Sequence, residues 1–244
     1  MNNKQTLIFI ILLCFGCTDS NQNNQRGYRH DLTVSDKLGK PTNEKSFYFD
    51  PVSFRDTFPI PTYFAEPPYD TIDLIKVPKD KIKKDFKIKT DSLSLEWFSE
   101  VLADNQEPVL SNYYLGKDIY RLTWLRTFDQ SIVIKIIKDK NKYSIETKRL
   151  NWNDRKYSTS TKGITVDIVS ELDDMLEKFN FFKTESYNWD APGFDGSEWI
   201  LEVHLSDRYH FINKWSPDLG KSNGLREIGE YIIKSSDAKD EEIY

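Results

Sequence analysis

The chain has 244 residues, with 34 Lys and Arg against 39 Asp and Glu, a net charge of −5. Mild acidity argues against a nucleic-acid binder, whose footprint is basic. The only two cysteines, Cys14 and Cys17, leave no disulfide framework, Cys-based zinc site or thiol nucleophile for the body of the chain.

Lys4 is the first charge, and Leu7 to Phe15 then run almost wholly apolar before Gly16-Cys17. A short positive region, an apolar core of about 7–15 residues and a small residue before the cut make a secretory signal. The run is too short to span a bilayer, which needs roughly 20 residues. Gly16-Cys17 at its end resembles the lipobox of Gram-negative lipoproteins. The resemblance implies removal of residues 1–16, diacylation of the Cys17 thiol and acylation (palmitate) of the new amino terminus. The match is imperfect: position 14 is Cys where Leu is preferred, and Phe15 is bulky. Cys14 is a second candidate for the modified residue, although Leu13 before it is a poor small residue. Two or more acyl chains hold a protein stably at a membrane. Loss of residues 1–16, whose only charge is Lys4, leaves 33 basic against 39 acidic residues, a net −6.

Residues 18–46 are polar and aperiodic, and such a stretch buries too little surface to offset its ordering entropy. With Cys17 they read as a lipidated cysteine and flexible tether, spanning roughly 30 Å as a coil. A single domain is expected over 47–235. Its aromatic content (6 Trp, 13 Tyr, 15 Phe) supplies the core that disulfides do not. The segment 47–69 holds Pro51, Pro59, Pro61, Pro67 and Pro68, which forbid a helix and predict an irregular strap. Thr71–Val77 alternates weakly as a strand. Seven lysines fall within 76–89. They read either as a patch for anionic lipid or polysaccharide or as a lysine-protected sheet edge.

Asp91 to Asn105 predicts a helix capped by Asp91, with Leu93, Trp97 and Val101 in one row and Leu95, Phe98 and Leu102 in the next. Pro108 stops it. Ile119–Leu125, Ser131–Ile137 and Lys142–Leu150 alternate with period two and predict an antiparallel meander. Ile132, Ile134 and Ile136 mark the core face. A second helix is predicted over Thr165 to Phe182, with Ile168, Leu172, Met175, Leu176 and Phe179 on its apolar stripe and carboxylates on the rest. A third runs from Leu225 to Lys234, followed by an acidic, disordered tail over 236–244. The fold class is α+β: an antiparallel sheet, meander plus C-terminal hairpin, packed by about three helices.

That hairpin lies in Trp199–Trp215. Trp199, Leu201, Val203 and Leu205 share one parity, and Tyr209, Phe211 and Trp215 share another. If all of them face one core, a three-residue loop at Ser206-Asp207-Arg208 is required, pairing Val203 with Phe211. That register sets His204 opposite His210 on the outer face, with Glu202 beside them. Two imidazoles and a carboxylate could ligate a divalent ion, although two histidines alone fall short of a zinc site. Asp195 and Glu198 are candidate catalytic carboxylates for glycoside hydrolysis; the competing reading is turn chemistry at Asp195-Gly196 and an outward-facing strand entry at Glu198. Gly220-Lys221-Ser222 imitates the end of a phosphate loop, but Trp215 stands where its first glycine belongs. A nucleophile elbow and an H-E-x-x-H motif are absent from the sequence.

Asp195-Gly-Ser-Glu-Trp-Ile-Leu-Glu202, with Tyr209 and Trp215-Ser-Pro217, resembles a family of Gram-negative (Bacteroidota-type) secreted proteins and lipoproteins. Glu107-Pro-Val-Leu110 and Tyr120-Arg-Leu-Thr-Trp-Leu-Arg-Thr-Phe128 fit the same family. The resemblance covers roughly 91–234 and departs from it near 150–163, where a Gly-rich turn is missing. It implies an exported α+β domain and supplies no activity or site. Together these readings predict an envelope lipoprotein, at the outer membrane with its domain in the periplasm or at the cell surface. Its domain is expected to be a non-catalytic binding module. The alternatives are an inhibitor or immunity lipoprotein and a carboxylate-based hydrolase; an envelope protein or polysaccharide is the expected partner, and no cofactor is expected.

Overall fold

Alternating β-branched and aromatic residues over 118–150 and 197–215 fold as antiparallel strands, as their pattern demands. The computed structural model describes residues 27–43, 46–50, 96–151, 156–186, 195–222 and 224–243. In chain order these hold helix α1 (96–104), then β1 (Asp118–Arg126), β2 (Ile132–Asp139), β3 (Lys142–Leu150) and β4 (Tyr157–Gly163). Helix α2 (Val166–Lys178), a 3-10 turn (Phe181–Lys183), β5 (Ser197–His204), β6 (Tyr209–Trp215) and α3 (Leu225–Ser235) follow. The sheet order is β4-β3-β2-β1-β5-β6, so the hairpin β5–β6 joins the meander through β1. All pairs are antiparallel. The fold is α+β.

The sheet is buried on both faces. On one, Tyr120, Leu122, Trp124, Ile132, Ile134, Ile136, Trp199, Leu201 and Val203 pack under α2 and α3. On the other, Ile119, Leu125, Val133, Ile200, Tyr209 and Phe211 pack under α1, the 27–50 segment and Val109-Leu110. Gly229 lets α3 sit directly on Trp199, since a Cβ there would fall 2.3 Å from the indole.

Several expectations change. Residues 27–43, assigned to the tether, pack on the domain: Val34 and Ser35 are buried, and the Asn112 side chain bonds both Asp31 and Ser35. Polar composition misled here, because the segment is held by hydrogen bonds to neighbouring backbone rather than by apolar burial. The tail is likewise attached. Ser236 and Ala238 are fully buried, and Glu241 binds Arg126 at 2.8 Å and Arg149 at 3.2 Å. β4 was not anticipated, since its Ser/Thr residues lie on an exposed edge and carry no apolar alternation. Helix α2 ends at Lys178, short of Phe182, because Asn180 adopts a left-handed φ of 52°. In α1 the buried row is Phe98 and Leu102, while Trp97 is 46% exposed. The Asp91 cap, the Thr71–Val77 strand, the lysines of 76–89 and the strap prolines Pro51 to Pro68 lie outside the described residues.

Candidate functional site

The hairpin register decides the fate of the histidine pair. Leu205 and Arg208 exchange backbone hydrogen bonds around a two-residue turn, Ser206-Asp207. Val203 therefore pairs with His210, and His204 with Tyr209. His204 and His210 leave opposite faces of the sheet and cannot share an ion. The expected three-residue loop was wrong because it assumed a single buried face; with both faces covered, apolar residues of both parities are inside.

Each imidazole is instead committed to structure. His204 is fully buried; its Nδ1–H donates to Leu110 O at 2.9 Å, and Leu115 N–H donates to its Nε2 at 3.1 Å. Those partners fix the neutral Nδ1–H tautomer. Burial pushes its pKa down to about 4. His210 donates to Thr184 O at 2.8 Å and stands edge-on to Phe181.

Glu202, the third member of the expected site, belongs to a buried ionic cluster. Its carboxylate receives Arg121 Nε at 2.6 Å and the Tyr209 hydroxyl at 2.9 Å. Arg121 also lies 3.5 Å from Glu107, which binds Lys135 and Lys148 at 2.8 Å each. Lys135 reaches Glu146 at 2.7 Å. Burial pushes the Glu107 carboxyl up, but Lys135, Arg121 and Lys148 outweigh it and hold it below its usual range. Three cations thus meet three carboxylates, and the cross-strand register builds the row: Glu202, Arg121, Lys135 and Glu146 are successive partners. Charge balance and the contacts of Arg121, Lys135 and Lys148 to Glu107 make the cluster a fastening between the sheet and the chain after α1, with Arg121 Nη2 buried and lacking a hydrogen-bond partner. The sequence signal is charge set among the apolar residues of the strands (Arg121, Lys135, Glu146, Lys148 and Glu202), legible only once the strands are aligned.

Glu198 is buried, contrary to its expected outward orientation. Asn213 Nδ2–H donates to it at 2.6 Å, yet burial dominates and raises its pKa to about 8. Asp195 is exposed in the bend before β5. One carboxyl is sequestered and the other solvated, and neither lines the two large cavities described below.

A cleft of about 570 Å³ lies where α2 and the 3-10 turn meet the β5–β6 turn. Buried Leu176 and Phe181 form part of its lining. Around them stand Asp118, Asp173, Glu177 and Asp207 with Lys138, Lys183 and Arg208. The Arg208 guanidinium lies 4.0 Å above the Phe182 ring. The ion pairs here are loose, at 3.8 Å for Lys138–Asp118 and 3.7 Å for Arg208–Asp207. Both distances exceed hydrogen-bond range, so these donors and acceptors are not consumed by each other. Tyr120 donates to Asp173 at 2.6 Å, and Tyr114 to Asp118 at 3.4 Å. A second cavity of about 600 Å³ is lined by Tyr48 and Glu107 among others. Tyr48 donates to Glu107 O at 2.8 Å, and Glu107 is engaged by the ionic cluster. The polar groups of the first cleft are therefore the ones left to meet a ligand. No group of three or more His, Cys, Asp or Glu arranged to hold a metal ion occurs among the described residues.

No protein-family model matches the chain, and no curated protein is detectably similar to it.

Proposed function

We propose that this chain is an envelope lipoprotein, anchored through Cys17, whose domain binds an uncharged or zwitterionic hydrogen-bonding ligand, with envelope polysaccharide the best fit. The cleft beside the β5–β6 turn carries this reading. It combines an apolar floor with a few convergent polar groups, the usual composition of a ligand site. Four carboxylates alternate with three cations around it, so acceptors and donors are both on offer and neither sign dominates. A polyhydroxylated ligand uses both and presents C–H faces to rings such as Phe182. The signal run and the Gly16-Cys17 junction support the anchor, and no described helix is long and apolar enough to cross a membrane.

Sedimentation with purified peptidoglycan sacculi, and titration with a soluble N-acetylglucosamine tetramer, test the cleft. The soluble Cys17→Ser protein is expected to bind. Arg208→Ala and Phe182→Ala should weaken binding at least tenfold while leaving the melting temperature within a few degrees. Undiminished binding by both variants would place the ligand elsewhere.

A further inference from the structure

Residues 27–43 determine where an anchored domain sits. They are fastened at one end of the sheet. The Tyr28 hydroxyl donates to Leu205 O and to Arg208 O, and the backbone N–H groups of Arg29 and His30 donate to Ser111 O and Asn112 O at 3.1 and 3.0 Å. The β5–β6 turn, the start of β1 and the β2–β3 turn share that end, since Ile119 pairs with His204 and Asp118 with Lys138. Only residues 18–26 separate Cys17 from Gly27. Ten chain steps extend at most about 35 Å. A folded chain of about 200 residues has a radius of gyration of about 16 Å and is roughly 40 Å across. The leash is shorter than the domain, so the Tyr28 end cannot be turned away from the bilayer unless the leash is drawn almost straight.

That end is rich in aromatic and exposed apolar groups. Tyr114 is 37% exposed and stacks at 20° on the immobile His204 ring. Tyr28 lies 6.4 Å from Tyr114, and exposed His30 lies 5.3 Å from Tyr113. Leu32 stands 66% exposed on the fastened segment. Tyrosine, apolar at the ring and polar at the tip, favours the headgroup layer. The segment 27–43 carries Arg29, Lys37 and Lys40 against Asp31 and Asp36, a net +1, small enough for a zwitterionic headgroup surface to suit it.

We propose that the α1 side of this end, led by Tyr113, Tyr114 and the segment 27–43, rests in the headgroup layer of the membrane that holds the anchor, fixing the orientation of the domain, while the cleft lies on the α2 side of the sheet. The inference depends on acylation at Cys17. With that thiol acylated, the mature chain has no other cysteine, so an introduced one is labelled uniquely. The full lipoprotein carrying Lys117→Cys, His30→Cys or Asp129→Cys, labelled with an environment-sensitive nitrobenzoxadiazole dye, is placed in phosphatidylethanolamine–phosphatidylcholine vesicles. Dye at 117 and 30 is expected to shift blue and to be quenched by spin-labelled lipid. Dye at 129, in the β1–β2 turn at the opposite end, should remain aqueous and open to iodide. Tyr114→Ser combined with Leu32→Ser should reduce the blue shift. If all three sites are aqueous while the protein floats with the vesicles, the orientation is wrong and the anchor stands. A signal that appears only with added phosphatidylglycerol would overturn the proposal in favour of lysine electrostatics. Protein that neither floats nor shows acyl mass at its amino terminus overturns the anchor itself, and this inference with it.

Discussion

Replacing Arg121 by Met removes the cation between Glu202 and Glu107 while nearly preserving side-chain length. Arg121 is wholly buried and touches Glu202 at 2.6 Å and Glu107 at 3.5 Å. Glu107 keeps Lys135 and Lys148, both at 2.8 Å. Glu202 keeps only the Tyr209 hydroxyl, at 2.9 Å. The loss therefore falls mainly on Glu202, a buried carboxylate stripped of its counter-ion. Breaking a buried pair from one side costs about 3–5 kcal/mol. At about 2–4 °C per kcal/mol for a chain of this size, the melting temperature should fall by roughly 6–20 °C. Adding Glu202→Gln removes the orphaned charge and keeps an acceptor for Tyr209, so the double variant should recover at least half of the loss. Urea unfolding of the soluble Cys17→Ser protein, followed by tryptophan fluorescence, measures all four corners of this cycle. A loss below about 1 kcal/mol for Arg121→Met, or strict additivity of the two changes, would refute the ionic fastening.

The pH dependence has two opposed limbs. Glu198 has a folded pKa raised from 4.5 to about 8, so its contribution is full below pH 4.5 and is lost as pH rises through 8. His204 has a folded pKa lowered from 6.5 to about 4, so its contribution is full above pH 6.5 and is lost as pH falls through 4. Glu198→Gln should flatten the alkaline limb, gaining a few kcal/mol over the parent at pH 8.5 relative to pH 4.5; urea midpoints that move in parallel at both pH values would show that Glu198 does not titrate as buried. Gly229→Ala should destabilise the protein despite the better helix propensity of alanine, because its Cβ collides with Trp199. An unchanged or raised melting temperature would mean that α3 can slide off the indole. Cys17→Ser should yield a folded, vesicle-free protein, checked by circular dichroism and flotation; an unfolded product would deny that the domain folds independently of its anchor.

Much of the sheet was written in local pattern. Ile132, Ile134 and Ile136 alternate because every second side chain of a strand points the same way, and the bounds of β3 follow directly. Helix α3 likewise follows from the spacing of Leu225, Ile228 and Ile232. β4 was illegible, since an exposed edge strand of Ser and Thr has no hydrophobic period to display. Residues 27–43 were illegible for a related reason: their order comes from hydrogen bonds to residues about 80 positions away, and composition reports only burial.

The candidate site divides the same way. The scarcity of thiols and the acidic balance are properties of the chain itself, and sequence alone determines them. The placement of Glu202, His204 and His210 depended on how many faces of the sheet are covered, a fact held by the whole molecule and by no window of residues. Once both faces are packed, a one-residue change in register sends the two histidines to opposite sides and brings Glu202 to Arg121. The cleft is likewise assembled from residues of β1, β2, α2, the 3-10 turn and the β5–β6 turn, and only tertiary contact could gather them, because their separation along the chain exceeds the reach of any local periodicity.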